Sequence, residues 1–350
     1  MEATVTLLII LFCWVMLVVA DIAVSFILRL TAKIPFKKAF LWGLLSLVVP
    51  PVGIAYGACV GRNWFEVKKV EIEFTDLPES FDGYRIIHLS DIHARSYAKR
   101  AARLQKAAQI INDLDADLIA FTGDLITLIP EEVDCVASSL SALRAKDGVI
   151  SVLGNHDYGT YADTSGTLQQ CLIDKEADLG WDLLLNEHRI MRKGADSIVV
   201  VGVENTSISK FFPSNGDLAK ASEGTDGTFR IVLTHDPMHW ESEILGQDYA
   251  LTLSGHTHAM QLSIFGWSPS SLLFKHSNGL YTEGTQHLYI NAGLGETMFP
   301  ARIGARPEIT QITLRKIQRQ TEPPIESKDI SIMLKREQKC ESCSQNKFGI

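Results

Sequence analysis

The stretch that decides the fold is Val149-Ile150-Ser151-Val152-Leu153-Gly154-Asn155-His156-Asp157. Five mostly apolar residues rich in valine and isoleucine read as a short buried strand. A glycine then permits a sharp turn, and three polar residues able to hold metal or move protons follow. Residues 84–90 likewise run into Asp91-Ile92-His93, 118–122 into Gly123-Asp124, 230–234 into His235-Asp236, and 251–254 into Gly255-His256-Thr257-His258. In α/β proteins, ligands gather beyond the carboxyl ends of strands, where neighbouring loops converge. Five such ends can therefore supply one site.

The intervening text supports that class. Apolar residues recur at helical spacing over 97–114 (Ala101, Leu104, Ala108, Ile111), 131–146 (Val133, Val136, Leu140, Leu143) and 165–179. Strand-like runs follow at 198–203, 229–234, 250–254, 261–265, 287–291 and 309–314. Helices alternate with strands first and strands dominate later, which predicts an α/β fold with continuously apolar, buried strands. Residues 206–227, rich in Ser, Asn, Gly and Asp, read as a surface excursion.

The strand-end residues are Asp, His and Asn, with no cysteine. Hard oxygen mixed with imidazole suits Mn²⁺, Fe or Zn²⁺, and argues against an iron–sulfur cluster or a cysteine-rich structural zinc. The ligands are too many for one open catalytic ion and fit two divalent metal ions sharing a carboxylate, about 3.5–4 Å apart.

The order D-x-H, G-D, G-N-H-D, H, G-H-x-H over residues 91–258 resembles the calcineurin-like metallophosphoesterase superfamily. The lead-in Leu77-Pro78-Glu79-Ser80-Phe81-Asp82-Gly83-Tyr84 is similar to its membrane-associated phosphodiesterase branch, which includes UDP-2,3-diacylglucosamine hydrolase-like enzymes. Ala292-Gly293-Leu294-Gly295 and Arg306-Pro307-Glu308-Ile309 share that similarity. The resemblance implies a four-layer α/β/β/α metallophosphoesterase sandwich over residues 70–314. By motif, Asp91, His93 and His258 would bind one metal, Asn155, His235 and His256 the second, and Asp124 would bridge them. His156 would act at the leaving group, as acid or as donor to the developing oxyanion, with Asp157 orienting it or fastening its loop. The implied reaction is hydrolysis of a phosphodiester or pyrophosphate bond, in a lipid- or nucleotide-linked substrate, by a metal-bridged hydroxide attacking in line. A phosphomonoesterase, a protein phosphatase and a non-catalytic binding module are the alternatives. Many relatives follow G-H-T-H with Gly-Gly-Gln, whereas Ala259-Met260-Gln261 stands here.

Ahead of this domain lie two apolar stretches, about 4–28 and 40–60. The second is long enough to cross a ~30 Å hydrocarbon core, with a kink expected at Pro50-Pro51. Met1 and Glu2 offer no positive n-region, and a second span follows, so residues 1–65 read as a retained two-helix transmembrane hairpin rather than a cleaved signal. Its link carries Arg29, Lys33, Lys37 and Lys38 against Arg62, Lys68 and Lys69 beyond the second span. That bias favours a cytoplasmic link and a catalytic domain outside the cytoplasm, in the cell (inner) membrane. Asp21, inside the first span, reads as a functional residue or, in preference, as one that sits at an interface or faces the second helix.

The net charge of −8 hides a division. Residues 1–69 hold seven Lys/Arg and three Asp/Glu, and residues 315–350 hold eight and five. The acidity therefore lies in the domain, which excludes nucleic acid as main partner and would repel an anionic substrate unless metals supply positive charge. The partners expected are a phosphate-ester or pyrophosphate substrate and membrane lipid. Residues 315–350 read as a mobile charged tail whose Cys340-Cys343 pair is too isolated for a zinc site. His88, within an apolar strand, reads as a core residue, and residues 265–274 read either as an apolar lip near the site or as a buried loop.

Overall fold

The computed structural model describes residues 2–207, 210 and 212–317. The tail expected over 315–350, with Cys340 and Cys343, lies almost wholly outside the described residues.

The chain opens with two helical runs long and apolar enough to cross a membrane, Ala3–Thr31 and Phe36–Asn63. The first is helix α1 (Glu2–Thr31). The second comprises α2 (Phe36–Gly43), a 3₁₀ stretch (Leu44–Val48), α3 (Val49–Cys59) and a last 3₁₀ turn (Gly61–Asn63). The expected irregularity at Pro50-Pro51 takes the form of that 3₁₀ stretch just before them. The prolines then open α3, where a missing N–H costs little. Trp14 Nε1 donates to Leu47 O at 2.7 Å. Asp21 lies against Gly43 of the second run and accepts from Ser25 Oγ at 3.3 Å.

Two six-stranded sheets form the domain. The strands are β1 (Glu66–Phe74), β2 (Arg85–Leu89), β3 (Leu118–Phe121), β4 (Val149–Ser151), β5 (Asp182–Leu183), β6 (Glu187–Lys193), β7 (Asp196–Gly202), β8 (Phe229–Leu233), β9 (Leu251–Ser254), β10 (Gly279–Glu283), β11 (Gln286–Ile290) and β12 (Glu308–Lys316). One sheet has the order β1-β12-β2-β3-β4-β5 and the other β10-β11-β9-β8-β7-β6. Strands β2, β3, β4 and β5 are parallel, as are β7, β8, β9 and β11.

Alternation along buried strands builds the layers. Ile86, Leu118, Ala120 and Ile150 meet Ile198, Val200, Ile231, Leu233 and Leu253 between the sheets. The intervening Ile87, Leu89, Ile119 and Phe121 face outward and are covered by α4 (Ala101–Asp113), α5 (Ala137–Leu140) and α6 (Thr167–Asp178) through Leu104, Ile111, Leu140 and Leu172. Beyond the other sheet, Val199, Val201 and Val232 pack on Trp240, Ile244 and α7 (Leu218–Ala221). This is the four-layer α/β/β/α arrangement.

Two sequence expectations need correction. The helix over 131–146 is a 3₁₀ turn (Pro130–Val133) and the one-turn α5, broken at Val136, whose φ is −123°. Val133, Val136 and Leu140 are still buried on one face, so the apolar pattern described the packing but not the helix. The strand over 261–265 is replaced by isolated bridges, Leu262 to Ile303 and Ile264 to Trp267. Left-handed backbone at Ala259, Met260, Gln261 and Phe265 stops extended pairing there.

Candidate metal centre

All five strand ends converge. Ties across the two sheets hold them: His235 Nδ1 bonds Thr122 O at 2.7 Å, Asn291 Nδ2 bonds His88 O at 3.1 Å, and Leu294 N bonds Ser90 O at 3.0 Å. Close approach of loops requires glycine. A Cβ on Gly123 (φ +90°) would lie 2.4 Å from Gly154 N, and one on Gly154 would lie 2.3 Å from Asp124 Oδ1.

The first group is Asp91, His93 and His258, all buried. The Nε2 atoms of His93 and His258 are 3.1 Å apart, and His258 Nε2 is 3.1 Å from Asp91 Oδ1. The second group adds His235, whose Nε2 lies 3.2 Å from Asp124 Oδ2 and 3.2 Å from His256 Nδ1. Asp124 Oδ2 is also 3.6 Å from His93 Nε2, so one carboxylate oxygen stands between the two groups. Metal bonds of ~2.1 Å separate neighbouring ligand atoms by roughly 3.0–3.4 Å, which fits these gaps.

Two buried atoms without a hydrogen-bond partner are Asp91 Oδ1 and Asn155 Oδ1. An orphaned buried acceptor is costly unless something absent from the protein satisfies it, and each is a ligand position named by the sequence motif. The remaining ligand atoms are anchored from behind. His93 Nδ1 bonds Ile126 O at 3.1 Å, and His235 Nδ1 bonds Thr122 O, so donation from both Nδ1 atoms leaves Nε2 free to coordinate. Asp124 Oδ1 accepts from His156 N at 2.9 Å and Asp91 Oδ2 from His256 N at 3.0 Å.

The local field favours positive charge. Burial opposes ionisation of Asp124, yet His235 and His156 hold its carboxyl well below the ordinary range. Burial likewise opposes charge on His235, but Asp124 raises it to about 10. His93 is pushed down to about 3, chiefly by burial. The residues present suit divalent cations.

His156 stands at the edge of this cluster. Its Nδ1 bonds Thr127 O at 2.7 Å, leaving Nε2 available in the cleft that the ring lines. Asp157 is fully buried beside it. Its carboxylate accepts from the backbone N–H groups of Asp124 at 2.7 Å, Gly154 at 2.8 Å and Ile126 at 3.1 Å, tying two strand-end loops together. Burial, then the Asp124 charge, raises its carboxyl to about 7.

Backbone conformation marks the site as well. Asp91, His93, Asp124, His256 and His258 all have left-handed φ, between 43° and 71°. Asp and His tolerate that region better than most residues, though at a cost. Ala259 and Met260, with φ 47° and 48°, continue the run.

Three residues escaped the sequence reading. Tyr161 stacks on His156, ring centroids 4.6 Å apart, and its hydroxyl accepts from Asn155 Nδ2 at 3.2 Å. Phe212, from the polar excursion, lies 5.8 Å from the His256 ring. Arg62 reaches the same cleft from the foot of the hairpin. None has a spacing signal, because each arrives by tertiary packing. His88 is a core residue as expected, fully buried and bonded to Thr122 Oγ1 at 2.9 Å.

The calcineurin-like phosphoesterase family model matches residues 84–260. A zebrafish (Danio rerio) protein named transmembrane protein with metallophosphoesterase domain is 33% identical over 288 residues, covering 78% of this chain and 62% of that protein. A Bos taurus protein of the same name is 31% identical over 291 residues, covering 80% and 64%. The uncharacterized metallophosphoesterase YkuE of Bacillus subtilis is 30% identical over 292 residues, covering 80% and 97%. The chain thus spans less than two thirds of the two animal proteins. With its strand-end blocks inside the matched region, the chain belongs to the calcineurin-like phosphoesterases.

Proposed function

We propose that the chain hydrolyses a phosphodiester or pyrophosphate bond in a lipid- or nucleotide-linked substrate. The observation that carries this reading is the pair of buried, unpartnered oxygens, Asp91 Oδ1 and Asn155 Oδ1, in a cluster whose spacing fits two cations. Asp91, His93 and His258 would hold one, Asn155, His235 and His256 the other, with Asp124 shared between them. When bound, two divalent ions supply Lewis acidity to neutralise phosphoryl oxygens and activate water. His156, fixed through Thr127 O, offers Nε2 to the leaving group as acid or donor. Tyr161 restricts that ring by stacking on it.

The chain is an integral membrane protein of the cell membrane in this reading, with the catalytic domain outside the cytoplasm. Arg62 is engaged by Glu296 at 2.8 Å and Lys68 by Glu308 at 2.7 Å. The link carries four Lys/Arg against three past the second span, and that bias supports the link as the cytoplasmic side.

The test is metal content by mass spectrometry together with a panel of aryl phosphodiesters, pyrophosphates and phosphomonoesters. Two divalent ions per chain and a preference for diesters or pyrophosphates are expected. A full metal complement with turnover of monoesters alone would shift the reading to a phosphomonoesterase, and inactivity on every ester to a binding module.

A further inference from the structure

The catalytic domain touches the hairpin well before the hairpin ends. The Ile303 side chain lies beside Gly53 and Gly57, and the Arg302 carbonyl fills the space a side chain would need at Gly61. Gly53 stands ten residues before Asn63, roughly 15 Å along a helix. If residues 40–60 fill the hydrocarbon core, residues 301–303 lie level with its domain-side turns.

That contact continues into an inside-out loop. Leu262 bridges Ile303, and Ser263 N donates to Ile303 O at 2.8 Å. In the residues that follow, two polar side chains turn inside while Ser271 stays exposed: Ser268 and Ser270 are buried, and Ser268 Oγ bonds Ala259 O at 2.5 Å. The apolar ones are outside, with Phe265 fully exposed at 106%, Leu272 at 75% and Leu273 at 71%. Met298 joins them at 64%. A loop held by internal bonds with its apolar side chains outward is built to meet an apolar phase.

The same rim borders the metal centre. Phe274, where this loop ends, lies 6.0 Å from the His256 ring. A cleft of about 810 Å³ joins Asp124, His156 and His256 to Met298, Phe299 and Pro300. Arg95, Lys99 and Arg100 line it too, and basic residues at an interface attract anionic headgroups.

We propose that residues 264–274 and Met298 lie in the lipid leaflet entered by the hairpin. The cleft then receives a phosphoester whose apolar part stays in that leaflet while its headgroup passes between the basic residues and the metals. The membrane contact stands on the packing alone; the substrate class rests on the hydrolase reading above.

Two measurements on the full chain test this. In nanodiscs of phosphatidylcholine and phosphatidylglycerol bearing diazirine acyl chains, photolabelling should reach residues 264–274 and Met298 as well as the spans. Labels confined to residues 3–60, or cross-links between two copies through Phe265, would overturn the membrane contact. Next, hydrolysis of p-nitrophenyl hexadecyl phosphate in vesicles is compared with that of soluble bis-p-nitrophenyl phosphate. Joint replacement Phe265→Ser, Leu272→Ser and Leu273→Ser should lower the lipid-to-soluble ratio of kcat/KM at least tenfold. These side chains are exposed, so the fold is retained. An unchanged ratio overturns the leaflet substrate. Failure of the metal-loaded wild type on both esters, with labelling intact, overturns the hydrolase reading and upholds the membrane contact.

Discussion

The strand-end cluster and the foot of the hairpin are both places of tight approach, and they are built on opposite rules. In the cluster, residue type decides: Asp and His bring ligand atoms to 3.1–3.6 Å of one another. At the foot, size decides. Gly57 and Gly61 let the 301–303 backbone lie against the helix, and Arg302 N donates to Gly57 O at 3.3 Å. The regions also share a part. Arg302 is wholly buried, bonds Ala292 O at 3.0 Å and Gly295 O at 2.5 Å, and lies 3.3 Å from His258 Nδ1. An interface can thus be chemically silent in itself and still brace a ligand.

The sharpest separation of the two is Asp124→Asn. Turnover should fall on the order of a thousandfold or more, about 4 kcal/mol, with metal content reduced, while thermal unfolding in detergent still reports an intact hairpin–domain unit. Undiminished turnover would break the bridging assignment.

The converse is Glu296→Ala. This carboxylate bonds Arg62 of the hairpin at 2.8 Å and Arg103 of α4 at 2.5 Å. Removing one member of a buried pair leaves its partners uncompensated, so a loss of about 3 kcal/mol is expected in denaturant unfolding. Stability near wild type would show that the foot carries little of the assembly.

His156→Ala acts within the cluster while leaving every proposed ligand residue in place. A fall of roughly 10²-fold in turnover is expected with metal content unchanged. Loss of metal would reassign His156 as a ligand, consistent with its proximity to His93 and Asp124.

How legible all this was in the sequence follows the same division. The five blocks could be read because apolar runs that stop at glycine and ligand-type residues are local patterns. Left-handed φ at His93 or His258 could not, since nothing in an Asp or His announces its backbone angle. The foot was illegible for another reason. Gly57 and Gly61 look like ordinary residues of an apolar span, and only the return of residues 301–303 gives them work. Strands β1, β5, β6 and β10 also went unread. Edge strands β6 and β10 mix exposed and half-buried residues, β1 buries only Ile72 and Phe74 among its nine, and β5 has two residues.

A pH-dependent effect comes from Glu176 on α6, fully buried and bonded to Ser151 Oγ at 2.5 Å. Burial, aided by the Asp157 charge, raises its carboxyl from 4.5 to about 8. The folded chain then keeps a proton that the unfolded chain releases. Its contribution is complete below the unfolded value and is lost as pH rises to about 8, at roughly 1.4 kcal/mol per pH unit between. Glu176→Gln should flatten that decline in unfolding free energy measured from pH 5 to 8. An equal decline in the variant would place its source elsewhere.

The smallest is Met260→Gly. Relief of left-handed backbone at φ 48°, offset by the entropy glycine adds to the unfolded chain, should stabilise by about 0.5–1 kcal/mol. Destabilisation in thermal unfolding would mean that the Met260 side chain contributes packing that outweighs the strain.

The position of β12 has a consequence for synthesis. It is the last described strand, yet it sits between β1 and β2, pairing Glu66 with Glu308 and His88 with Thr310. As the chain emerges, β1 finds its neighbour only after the other eleven strands have been made. The hairpin is available to the insertion machinery long before the residues that pack on it, so β1 joins the first sheet only after residues 308–316 have been made.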